Sequence, residues 1–98
     1  MQKNQHLTVD KFFFGEEITY SHEWLDATFG EYVNTNPYKH WLNRHYEEAV
    51  IEEFGKGTKL YNSAMMHILC DMLSHFGIFF VPRTRQELQK FLKSRKII

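Results

Sequence analysis

Apolar residues recur at helical spacing along most of this chain. The strongest run is residues 58–76, where Tyr61, Ala64, Met65, Ile68, Leu69, Met72, Leu73 and Phe76 cover a wide arc, the pattern of a helix buried on several sides. Thr58 stands where an N-cap is needed and Gly77 where a left-handed residue would close the helix. This is the predicted central helix. Before it, residues 37–54 place Tyr38, Leu42, Tyr46, Ala49, Val50 and Phe54 on one face, opened by Asn36–Pro37 and closed by Gly55. After it, "RTRQELQKFLKSRK" sets Thr84 and Glu87 at capping-box spacing, with Leu88, Phe91 and Leu92 on one side. "ITYSHEWLDATFG" (18–30) reads as a shorter helix ending at Gly30.

The pattern predicts a mainly α fold, a bundle of about four helices forming a single domain over residues 1–98. Residues 1–9 are polar and are expected to be a flexible N-terminus, and residues 84–96 a basic C-terminal helix. "KFFFG" and "GIFFVP" are bulky runs bounded by turn residues. A pair of short strands at 11–14 and 78–81 is the alternative there to apolar connectors.

The polar residues of the central helix also keep a period. Lys59, Ser63, His67, Asp71 and then Ser74 or His75 form one strip, which reads as the solvent edge of a helix apolar elsewhere. As a metal site the strip is incomplete. His67 and Asp71, or Asp71 and His75, lie one turn apart. His67 and His75 are separated by about 12 Å of helix rise and cannot hold the same ion. A site would need one histidine, Asp71 and ligands from another helix, with His40 and His45 as the available donors. His67, Asp71 and His75 are therefore candidate ligands only; no metal or other cofactor is expected, and no catalytic residue is assigned. The single cysteine, Cys70, excludes a disulfide within the chain and sits among Leu69, Met72 and Leu73 as a small buried hydrophobe.

Aromatic residues make up 16% of the chain, enough both to fill a small core and to anchor a partner. Trp24, Tyr38 and Trp41 are the predicted anchors. The net charge of zero conceals a segregation: residues 10–54 carry ten acids against three bases, and residues 83–98 six bases against one acid. Glu47, Glu48, Glu52 and Glu53 are expected to crowd the negative end of the 37–54 helix. A positive body should then lie over them, and the tail helix is the nearest one, within the chain or across a homodimer.

"FGKGTKL" (54–60) lacks the spacing of a phosphate-binding loop and reads as a tight helix connection. Residues 24–46 suggest a divergent helix-turn-helix, with Asn43 and Arg44 as base readers and Arg83, Arg85, Lys90, Lys93, Arg95 and Lys96 as phosphate contacts. The first expectation is a small regulatory or inhibitory protein that binds a protein partner without catalysis, through Trp24, Tyr38, Trp41, Glu48 and Glu52. The second is nucleic-acid binding through the tail. No apolar run approaches the roughly 20 residues of a membrane span and the start is not a signal peptide, so no membrane and a cytoplasmic location are expected.

Overall fold

A computed structural model describes residues 3–26 and 44–96 of the chain. They form five helices: α1 (Lys3–Phe14), α2 (Thr19–Asp26), α3 (Glu47–Phe54), α4 (Lys59–Phe76) and α5 (Arg85–Ser94). The mainly helical single domain read from the sequence is the fold. The predicted start of a helix at Asn36–Pro37 lies outside the described residues, as do Tyr38, His40, Trp41, Leu42 and Asn43.

The central helix is α4, as the width of its apolar arc predicts. Two apolar groups are built on it. Leu25, Val50, Ala64 and Ile68 pack together, flanked by Trp24, Phe54, Tyr61, Met65 and Val81. Met72 packs with Leu88 and Leu92 of α5, flanked by Tyr46, Phe76, Phe80 and Phe91. The caps follow the sequence. Thr58 accepts from the Tyr61 N–H at 3.1 Å, and Gly77 closes α4 at φ 68° with its N–H on the Leu73 carbonyl. Thr84 accepts from the Glu87 N–H at 3.1 Å. The Glu87 carboxylate reaches back to the Arg83 N–H at 2.8 Å, one residue before the cap.

Three expectations change. Residues 1–9 include the first half of α1: the chain is helical from Lys3, because His6 and Asp10 are buried one turn apart on a single face. Residues 11–14, the first half of the proposed strand pair, are the last turn of the same helix, with Phe14 continuing the four-residue spacing and Phe12 and Phe13 exposed. Residues 78–81 are neither helix nor strand, and no strand occurs among the described residues.

The helix expected over 37–54 is broken at His45 and Tyr46, and α3 starts only at Glu47. Its first free N–H groups are taken by neighbouring backbone: Glu47 donates to the Pro82 carbonyl and Glu48 to the Arg83 carbonyl, each at 2.8 Å. The break reverses part of the charge argument. Glu47 and Glu48 stand in the first turn of α3, where negative charge is favoured. Only Glu52 and Glu53 remain at its unfavourable end. Among the described residues no ion pair joins Glu48 or Glu52 to Lys93 or Arg95, and Glu47 accepts from the Tyr61 hydroxyl at 2.5 Å instead. That carboxylate, helped by partial burial, pushes the Tyr61 phenol up to about 12.

Candidate metal centre

The polar strip of α4 meets solvent only at its ends, Lys59, Ser74 and His75. Ser63, His67 and Asp71 are all buried, and even Asp71 is only 3% exposed. The strip is covered by polar faces of other elements, so that imidazoles and carboxylates pack where side chains of ordinary cores would be apolar. Helix α1 contributes His6 and Asp10, α2 contributes Ser21 and His22, and the break before α3 contributes His45; all five are buried. Next to this strip on α4 runs the apolar line Ala64, Ile68 and Met72. One helix thus buries two adjacent lines of opposite character.

Asp71 is the hub. Its Oδ1 accepts from His6 Nε2 at 3.1 Å. Its Oδ2 lies 3.1 Å from His67 Nε2 and 3.4 Å from His45 Nε2. Burial alone would raise the Asp71 carboxyl, but the hydrogen bonds from His45, His6 and His67 outweigh it and hold the group well below the usual carboxylate range. His67 is pushed down to about 3, chiefly because burial penalises its charged form; Asp71 opposes this, and charge on His45 or His6 adds to it. His67 is a neutral ring at neutral pH.

From His67 the network continues. Its Nδ1 lies 2.7 Å from His22 Nδ1, and His22 Nε2 forms a short contact to Asp10 Oδ2. Asp10 Oδ1 accepts from Ser63 at 3.1 Å, and Ser63 in turn meets Ser21 at 2.7 Å. The rings lie close together: His6 stacks on His67 with centroids 3.7 Å apart and planes 9° from parallel. His6 Nδ1 is buried and has no hydrogen-bond partner among the described residues.

Two hydrogen bonds, His67–His22 and His22–Asp10, join this line, and His67 Nε2 lies 3.1 Å from Asp71 at its end. The one ring hydrogen of each neutral imidazole serves the two bonds. Two groups of side chains have the donor spacing for a metal: His6, His22 and His67, and His45, His67 and Asp71, with the donor atoms of each group within 4.8 Å of one another.

The residues singled out in the sequence fall as follows. His67 and Asp71 are at the centre, and His45 joins them as one of the two donors expected from elsewhere. His75 is exposed and apart from the group. Cys70 is half-buried, and burial, with the Asp71 charge, pushes its thiol up, away from a reactive thiolate. Trp24 is half-buried against Phe54, with ring centroids 5.0 Å apart. Arg44 lies over the Trp24 ring at 4.6 Å and donates to the Trp24 carbonyl at 2.6 Å, so its guanidinium is held within the chain. Glu48, Glu52, Arg83, Arg85, Lys90, Lys93, Arg95 and Lys96 are exposed. Tyr38, Trp41 and Asn43, and with them most of the helix-turn-helix, lie outside the described residues.

Sequence reasoning missed His6, Asp10, Ser21 and His22. One signal was present: the spacing His-x3-Asp occurs three times, at His6–Asp10, His22–Asp26 and His67–Asp71. Helices that each carry such a pair can pack polar face to polar face.

No protein-family model, curated protein or solved structure matches this chain.

Proposed function

We propose that this chain is a metal-binding protein, holding a divalent transition metal in its polar core to fasten α1, α2 and α4 together. The observation that carries the reading is the setting of His22. Its Nδ1 faces the group formed with His6 and His67, while its Nε2 is held by Asp10, which Ser63 holds in turn. A histidine fixed through its outer N–H by a carboxylate is the usual support of a metal ligand. Histidine nitrogens with one carboxylate suit zinc and its neighbours rather than calcium or magnesium. Without an ion, so many buried imidazoles and carboxylates would be a poor source of stability compared with apolar side chains of the same size. Burial of every donor suits an ion that secures the fold rather than one that meets a substrate.

The test is elemental analysis of protein purified without a histidine tag, followed by thermal unfolding with added Zn²⁺. Zinc at about 100 times its dissociation constant should add about 2.7 kcal/mol, or roughly 10–20 °C of melting temperature for a chain of this size. Protein that retains no metal and melts at the same temperature with zinc, cobalt or nickel would refute the reading.

A second reading, binding of a protein partner as a regulator, is supported by a different observation. Phe12, Phe13, Tyr20 and Phe79 are 82%, 59%, 57% and 80% exposed, large aromatic surface that a partner would bury. Replacing Phe12 and Phe79 by serine should leave folding intact and abolish co-purification of a partner; unchanged recovery would count against it.

A further inference from the structure

The two candidate ligand groups share one ring. His67 belongs to both, and its Nε2 faces Asp71 while its Nδ1 faces His22. Resting on the metal-binding reading above, we propose that the core holds two divalent ions joined by His67 as a bridging imidazolate. One ion sits on His45, Asp71 and His67 Nε2, the other on His6, His22 and His67 Nδ1.

The distances suit this. Two donors about 2.0–2.1 Å from a tetrahedral ion are about 3.3 Å apart. In the first group the His67–Asp71 separation is 3.1 Å and the His45–Asp71 separation 3.4 Å, so an ion enters with little movement. In the second group His22 and His67 are 2.7 Å apart, and the pair must open by about half an ångström. His6 has a nitrogen to give: Nε2 is engaged by Asp71, and Nδ1 is the buried atom without a hydrogen-bond partner among the described residues. The His6 ring is stacked flat on His67, with planes 9° and centroids 3.7 Å apart, so it has to turn out of the stack to bring Nδ1 to the second ion.

The protons balance. Neutral His67 gives up its one ring hydrogen to become the imidazolate, and that proton leaves to solvent as the ions bind. His22 keeps its hydrogen on Nε2, donated to Asp10. Asp71, Asp10 and the His67 imidazolate then offset three of the four positive charges the ions bring. In each group three protein donors leave a fourth position for water.

The experiment uses the full chain, stripped with a chelator, loaded with Zn²⁺ or Cu²⁺ and freed of excess ion before elemental analysis. Expected are two ions per chain in the native protein, one in His45→Ala, one in His22→Ala, and none held with comparable affinity in His67→Gln. In the copper form, an imidazolate bridge couples the two spins, so the integrated electron paramagnetic resonance signal should fall well below that of two isolated ions. One ion per chain, or two with full uncoupled signal, overturns the bridge while the metal-binding reading stands. No retained ion overturns both. Should a variant fail to fold by circular dichroism, stoichiometry and spin coupling of the native protein decide alone.

Discussion

Removing the Asp71 carboxylate should cost this protein a large share of its stability. The side chain is almost wholly buried and is the acceptor for His6 and His67 at 3.1 Å, with His45 farther away at 3.4 Å. A hydrogen bond to a charged group contributes about 1.5–3 kcal/mol, so the two shorter contacts alone suggest about 3–6 kcal/mol. Breaking a buried charge pair by deleting one partner typically costs about 3–5 kcal/mol. Asp71→Ala should therefore lose about 4 kcal/mol. A domain of this kind has about 5–15 kcal/mol in all, and the melting temperature should fall by roughly 15–30 °C. Asp71→Asn keeps the shape and one acceptor oxygen, but its amide would set a donor against imidazole N–H groups; it should recover less than half of the loss. Urea denaturation at pH 7.5 with a chelator present, so that no ion masks the difference, measures both. A loss under about 1 kcal/mol for Asp71→Ala would mean that the histidines find other acceptors and that the carboxylate is not their hub.

The remaining outcomes concern acid, ligand support and the apolar core. His67 is buried neutral at about 3 against an ordinary 6.5, so below pH 6.5 the unfolded chain takes up a proton that the folded chain refuses. Stability should fall as pH drops through that window, by about 2 kcal/mol at pH 5 relative to pH 7.5, while Asp71, whose carboxyl is depressed, adds its own loss only below about pH 4. Urea curves of the chelated protein and of His67→Gln should converge in acid; parallel curves would exclude this origin. Asp10→Asn weakens the support of His22 and should lower zinc affinity about 10- to 100-fold with the fold retained, read by competition with a coloured chelator, an unchanged affinity counting against that support. Leu88→Ala, at the fully buried contact of α5 with Met72, should cost about 2–5 kcal/mol by urea titration, and a smaller loss would show that α5 contributes little to the core.

The helices were largely legible in the sequence, because α4 and α5 advertise themselves locally. Thr58, Gly77, Thr84 and Glu87 act on backbone groups a few residues away, and the sequence shows those groups directly. The His45 break was not legible, because the groups that stabilise it are carbonyls of residues 82 and 83, far along the chain. The candidate centre was half legible. His67 and Asp71 stood out by spacing, but a polar line on an apolar helix looks the same whether it faces water or another polar line. Only the packing of α1 and α2 over it decides, and that rests on partners such as His6 and His22, dozens of residues distant.

Those distances bear on how the molecule assembles. The contacts that close the polar core join residues 45, 53 and 65 positions apart, whereas small helical proteins usually draw on near neighbours and fold in microseconds to milliseconds. Synthesis compounds the separation, since His6 leaves the ribosome long before Asp71 exists to receive it. The helices can form early and α4 can meet α5 through Met72 and Leu88, but α1 has to wait. Docking of the first helix should be the late event, and refolding of this protein slower than its helical content alone would suggest.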